Sequence, residues 1–256
     1  MYPILFKIGP LTVHTYGVML AAAFFLALAL AVRQARKEGI VPEKVVDLGL
    51  YLLVAAIVGS RILFILTDLQ YYIEHPLKIF FVWEGGLVFF GGLILAIPLG
   101  IYYIKKNNLP LWKVADIAAP SIAIAQAVGR LGCFSAGCCY GRPTDIPWAV
   151  TFRDPDSLAR LNVPLHPTQI YESLGTFLIF LFLIIIRKRK SFDGQLFWLY
   201  VLLYSFIRFF IEFYRGDEIR GMLFGGPLST SQGIGLSLVG LAIYMLLRLK
   251  KGKINI

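Results

Sequence analysis

Seven stretches of this chain are each apolar for about 20 residues, the length that carries an α-helix across a bilayer. They fall at about 11–32, 45–67, 86–104, 115–136, 168–186, 195–214 and 229–248. Backbone N–H and C=O groups in hydrocarbon must be satisfied within the segment itself, so runs of this length read as helices. The expected fold class is therefore an all-α integral membrane protein with about seven transmembrane helices. Composition agrees: 58% of residues are hydrophobic and 16% charged, against about 25% charged in an ordinary soluble domain. The third run is ambiguous, because 79–90 is also apolar and is broken by Glu84-Gly85-Gly86. Part of it reads as re-entrant or interfacial. The first run has no basic region beyond Lys7 and no polar cleavage region, so it reads as a retained helix and not a removed leader.

The formal charge of +10 raises the question of nucleic acid. The basic residues form no stripe with interleaved aromatics, so the distribution excludes that class. They gather instead between apolar runs. One side collects Arg33, Arg36, Lys37 and Lys44, then Lys105, Lys106 and Lys113, then Arg187 to Lys190, and finally Arg248, Lys250, Lys251 and Lys253. Lys7, Lys78, Arg142, Arg153, Arg160, Arg215 and Arg220 are spread over the other. Lys and Arg favour cytoplasmic loops, so the N-terminus is expected outside and the C-terminus in the cytoplasm. The longest polar segment then lies outside, a loop at about 137–167 rich in proline and aspartate. A loop of that length points to function. No repeat or low-complexity tract divides the chain, which reads as a single transmembrane domain, 1–256.

Ionisable residues inside apolar runs are costly and face a polar interior. Here they are Arg61, Glu84, Asp116, Arg130, Glu172, Arg208 and Glu212. Arg208 and Glu212 are four apart on the sixth run, which puts them on one helical face within pairing reach, with Tyr204 one turn back. Arg130 ends the small-residue run AIAQAVGRLG, and Arg61 follows Gly59-Ser60. Three arginines in three spans suit an anion: guanidinium groups bind phosphate oxygens at two points and keep their charge. The bland alternative is internal ion pairs that lock helices together.

All three cysteines lie in GRLGCFSAGCCYGR, at 133, 138 and 139. Three cannot all pair, which argues against a disulfide-stapled scaffold. C-x4-C-C is not a common zinc spacing and no second pair exists. A disulfide, a reactive thiol near Arg130 and Arg142, and small side chains packing at a helix end all stay open, with the glycines Gly137 and Gly141 shaping the backbone. His14 and Tyr16 in HTYG stand at the outer start of the first run, as interfacial anchors or as proton-handling groups in a cleft. His166 precedes Pro167 in HPTQIYE, where Pro167 and Thr168 signal a helix start suited to anions. His75 reads as solvated.

Taken together, HTYG at 14–17, GSR at 59–61, WEGG and FFGG within 83–92, GRLG and GR within 129–142, HPTQIYE at 166–172 and YSFIRFFIEFYR at 204–215 resemble, in order and over nearly the whole chain, the prolipoprotein diacylglyceryl transferase family. The resemblance implies transfer of the diacylglyceryl group of phosphatidylglycerol to the lipobox cysteine in the signal peptide of a prolipoprotein. A thioether forms and glycerol phosphate leaves, at the outer leaflet of the bacterial inner membrane. It implies catalytic or lipid-binding roles for Tyr16, Arg130, Gly141, Arg208 and Glu212, a further site position at Tyr204, and recurrent roles for Arg61, His14, His166 and Glu172. No metal or organic cofactor is expected. The chain departs from the family pattern at Cys133, usually Asn, at Cys138, often Glu nearby, and at Phe90, where the family has His. Three polar groups are thus replaced, which leaves the general base unassigned and leaves room for a paralogue with another acceptor. The alternatives from other classes are a transporter or binding protein for an anionic solute and a membrane thiol oxidoreductase. Neither matched broken helices nor a C-x-x-C pair supports them.

Overall fold

A computed structural model describes residues 2–9, 11–81, 85–216 and 229–254; Trp83, Glu84 and Arg220, singled out above, lie outside the described residues. The long helices are α1 (Thr15–Lys37), α2 (Pro42–Thr67), α4 (Phe89–Lys106), α5 (Leu111–Ala136), α6 (Thr168–Ile186), α7 (Gln195–Ile211) and α8 (Thr230–Ile254). All seven are long and apolar enough to cross a membrane, and each overlaps one of the seven apolar runs. A short helix α3 (Leu69–Glu74) and a 3-10 turn at Pro76–Phe80 follow α2.

The largest departure from the sequence reading is at the start. Residues 11–14, expected to begin the first helix, instead form β2 (Leu11–His14) of a β-hairpin with β1 (Ile4–Ile8), with Ile8 paired to Leu11 across the turn. Helix α1 begins only at Thr15, whose N–H donates to the Pro3 carbonyl at 2.9 Å and whose hydroxyl donates to Tyr2. The hairpin thereby takes up orphan groups of the first helical turn. The helix ends on Arg36 and Lys37, cations that suit a helix C-terminus, and α2 restarts with Pro42 in its first turn.

The described chain falls into two compact units, 32–114 and 1–31 with 115–256. In the first, α2 and α4 cross at glycine. A Cβ on Gly59 would stand 2.4 Å from the Gly91 carbonyl oxygen, and one on Gly91 would stand 2.3 Å from that of Gly59. Small residues let two backbones meet this closely, which is how spanning helices associate without a hydrophobic driving force between them. Arg61 sits two residues further along α2.

In the second unit, α5, α6 and α7 share a core of Ala119, Ala123, Ile179, Leu183, Leu196 and Tyr200. Asp116, read from sequence as an intramembrane charge, caps α7: its carboxylate accepts from the Gly194 and Phe197 N–H groups at 2.8 and 3.0 Å, with Lys190 at 3.3 Å. The segment after α5 is a folded cap. Strands β3 (Val150–Thr151) and β4 (Pro164–Leu165) pair antiparallel, and Phe152, Ala159 and Leu165 pack with Phe134 and Tyr140 beneath them.

Candidate active site

The first two turns of α6 carry a buried polar stripe: Thr168, Gln169, Glu172, Ser173 and Thr176. Three of these fasten neighbouring backbone. Thr168 Oγ1 donates to the Cys139 carbonyl, Gln169 Nε2 to that of Cys138, and Ser173 Oγ to that of Ala127, each at 2.8 Å. Glu172 lies at the centre, 2% exposed. Its Oε1 takes an ion pair from Arg130 Nη2 of α5 at 2.9 Å and a hydrogen bond from the Tyr204 hydroxyl of α7 at 3.0 Å. A carboxylate this deep requires such partners. Tyr204 is stacked in turn on Tyr200, whose hydroxyl donates to Gln126 Oε1 at 2.6 Å.

One turn beyond Tyr204, Arg208 pairs with Glu212 at 2.5 Å. Glu212 is buried, opens the 3-10 turn that ends α7, and accepts a hydrogen bond from the Ser229 side chain. Arg130 of α5 and Arg208 of α7 are thus each fixed by a carboxylate. Their side chains keep 22% and 16% exposure while their carboxylates keep 3% and 2%. The carboxylates are sealed and the cations keep partial exposure. Each guanidinium has five N–H donors in a planar fork, and one contact each to carboxylate leaves the fork able to engage an anion.

Gly141 marks a backbone crossing. Its N–H donates to the His166 carbonyl at 3.0 Å, Arg142 N–H to Tyr214 at 2.8 Å and Gly216 N–H to Tyr140 at 3.1 Å. A Cβ on Gly141 would lie 2.4 Å from both the His166 Cβ and carbonyl oxygen, so no side chain fits. His166 packs edge-on to Tyr214, with Nδ1 3.3 Å from the Tyr171 hydroxyl, which also accepts from Trp148 Nε1 at 2.8 Å. Tyr16, in the first turn of α1, lies over Gly132: a Cβ there would meet the Tyr16 ring at 3.3 Å. His14 is exposed on β2, opposite Ile4.

The thiols of Cys133, Cys138 and Cys139 converge within 4.8 Å of one another. All three are unoxidised; Cys133 is buried and the others half-buried. Hydrogen bonds from Cys133 and Cys138, with the charges of Arg215 and Arg130, hold the Cys139 thiol well below the ordinary range, while Cys138, sharing those bonds, is pushed up.

The fold thus joins Arg130, Glu172 and Tyr204 directly, adds Arg208 with Glu212, and sets Tyr16 against the same turn of α5. Arg61 belongs to the other unit. The residue is 7% exposed, and its guanidinium donates to four backbone carbonyls: Ile79 at 3.0 Å, Gly85 at 2.8 Å, Gly86 at 3.2 Å and Lys78 at 2.5 Å. Phe64 and Tyr72 flank it. Sequence reasoning missed Gln169, Tyr171 and Tyr214. A signal existed for the first, since polar residues at 168, 169, 172, 173 and 176 repeat at helical spacing.

Residues 3–248 match the family described as prolipoprotein diacylglyceryl transferase. The chain is 36% identical over 253 residues to the phosphatidylglycerol–prolipoprotein diacylglyceryl transferase of Clostridium tetani, covering 98% of this chain and 100% of that one. The like-named protein of Bacillus velezensis is 37% identical over 255 residues, covering 98% and 93%. That of Geobacter sulfurreducens is 34% identical over 257 residues, covering 99% and 97%.

Proposed function

The chain belongs to the prolipoprotein diacylglyceryl transferase family, and we propose from its site how it works. It is a multi-pass membrane transferase that moves the diacylglyceryl group of phosphatidylglycerol to a prolipoprotein. In our reading the acceptor is a lipobox cysteine. Its sulfur attacks the sp3 glyceryl carbon, a C–S bond forms, the C–O bond to phosphate breaks, and the electron pair leaves on the phosphate oxygen as glycerol phosphate.

Charge grows on that phosphate as the bond breaks. Arg130 and Arg208 grip it, because fixed cations in a low-dielectric site stabilise developing charge without reorganising. Glu172 and Glu212 aim them. Tyr204 shares Glu172 with Arg130, so it keeps the two forks in register. Tyr16 supplies a polar contact at the reacting end, and His14 and His166 are the titratable groups for the thiol proton. Gly141 lets the cap lie flat beside the α7 end. For Arg61 we assign the role of clasping the backbone at Lys78, Ile79, Gly85 and Gly86. Hydrophobic grooves between helices hold the two acyl chains.

The site residues sit at the start of α1, the end of α5, the start of α6 and the end of α7, which are the helix ends opposite the basic clusters. By the charge rule, this supports an active site toward the outer leaflet of the bacterial inner membrane, with the N-terminus out and the C-terminus cytoplasmic.

The observation that carries the proposal is that Glu172 joins Arg130 of α5 to Tyr204 of α7, with Arg208 paired to Glu212 one turn further on, each carboxylate buried and each cation partly exposed. Purified Arg208→Ala protein in vesicles, given labelled phosphatidylglycerol and a lipobox peptide, should insert normally yet form no thioether. Undiminished transfer would remove Arg208 from the mechanism.

A further inference from the structure

The three clustered thiols have no part in the reading above. Cys133 is on the last turn of α5, three residues beyond Arg130 and so on nearly the same helical face. Cys138 and Cys139 come back to it from the cap. The return is made by backbone: Gly137 has φ 78 and Cys139 has φ 58, a left-handed conformation that a residue with a side chain adopts at a cost. Thr168 and Gln169 pin the carbonyls of Cys139 and Cys138, and Gly137 is boxed in by Ser157 and Ala159. The sulfurs are therefore held together from two directions.

Spacing in sequence argued against a metal site, because C-x4-C-C is not a common zinc spacing and no second pair exists. The folded geometry reverses that argument. Metal–sulfur bonds of about 2.3 Å put three ligating sulfurs about 3.8–4.0 Å apart. From the observed limit of 4.8 Å, that spacing is reached by a closure of about 1 Å or less. Thiolate donors select soft d10 cations such as Zn(II) or Cu(I). Three protein ligands and one exogenous ligand is the arrangement of a catalytic zinc site, whereas a structural site takes four protein ligands.

We propose that Cys133, Cys138 and Cys139 bind one Zn(II)-class ion whose fourth ligand is the acceptor cysteine of the prolipoprotein. The proposal rests on the transferase reading above. Coordination removes the proton from a thiol outright, so the acceptor arrives as a metal-bound thiolate and its proton passes to water or His166. That thiolate then attacks the glyceryl carbon as Arg130, one turn back on α5, holds the departing phosphate. The electron pair that forms the C–S bond comes from the sulfur, the pair of the broken C–O bond leaves with phosphate, and the neutral thioether dissociates from the ion. No redox change occurs.

Binding is measured first, apart from transfer. Full-length protein in detergent, reduced and then freed of reductant without air, is titrated with Zn(II), and in parallel with Cd(II) as a spectroscopic probe. One ion per chain should bind, with a thiolate-to-cadmium absorption band and three sulfur neighbours by X-ray absorption on the wild-type protein. Cys139→Ser should weaken binding by more than the about 10–100-fold that even an outer-shell change costs, and the triple serine variant should bind none. Absent stoichiometric binding, fewer than three sulfurs, or a disulfide among these cysteines in protein prepared without reductant would overturn the site.

The role is measured second. Stripping the metal should reduce transfer to a lipobox peptide by at least about tenfold, with recovery on adding Zn(II). A peptide with cysteine, but not serine, at the acceptor position should add a fourth sulfur to the metal. Full activity in metal-free protein would overturn the role while leaving the transferase reading intact. Loss of transfer that Zn(II) does not restore would overturn it too.

Discussion

Arg61 and the pair Arg130 and Arg208 are the same residue type in the same kind of apolar helix, yet their surroundings differ in kind. Arg61 donates to four backbone carbonyls and is closed off by two aromatic rings. Carbonyls are neutral acceptors fixed by the chain, so this guanidinium spends its donors holding a connecting segment in place. Arg130 and Arg208 each meet one buried carboxylate and keep part of the fork exposed. A carboxylate fixes the direction of the cation, and the remaining donors face whatever enters. Buried arginine therefore has two uses in one chain, and the acceptor type separates them.

The sharpest way to break that comparison is Arg130→Lys. It keeps the charge and the pairing with Glu172 but loses two-point grip, and transfer should fall about 100- to 1000-fold, about 2.7–4 kcal/mol of transition-state stabilisation. Kinetics in vesicles decide it; near-normal turnover would reduce Arg130 to a helix lock. Next in size, Arg61→Met should lower unfolding stability by about 2–3 kcal/mol, because several buried carbonyls lose their donor. The folded fraction should work nearly normally. Thermal unfolding in detergent with specific activity on the same sample tests this, and a stable but inactive protein would move Arg61 into the lipid site. Gly141→Ala should cost about 2 kcal/mol through overpacking against His166, with a raised KM for lipid. An unchanged melting curve would mean the cap shifts freely. Smallest, Tyr204→Phe removes one hydrogen bond to Glu172, worth about 1 kcal/mol or a fivefold loss. A loss beyond a hundredfold would instead give that hydroxyl a direct part in the chemistry.

The membrane helices were legible because hydropathy over twenty residues outweighs local detail. The hairpin at 4–14 was not, since a four-residue apolar strand that runs into a helix looks, by hydropathy, like the helix itself. The Arg208–Glu212 pair was legible because both members lie on one helix, four apart. The partner of Arg130 was not, as Glu172 is 42 positions away on another helix and only packing joins them. Arg61 read like the other two because an apolar run around an arginine says nothing of whether carbonyls or carboxylates meet it. The thiol convergence was hidden for another reason: it depends on a left-handed residue at Cys139, a conformation that local composition does not announce.

The crossing at Gly141 couples two parts of the molecule that would otherwise move separately. Arg142 and Gly216 tie the cap to the tail of α7 through two main-chain links either side of Gly141, and α7 carries Arg208 a turn and a half upstream. A gate made by swinging the cap aside must therefore either drag that cation with it or tear the links first. Entry of a two-tailed lipid is then better served by a sideways gap between helices, and the tether makes admission of substrate and placement of the charge a single mechanical event.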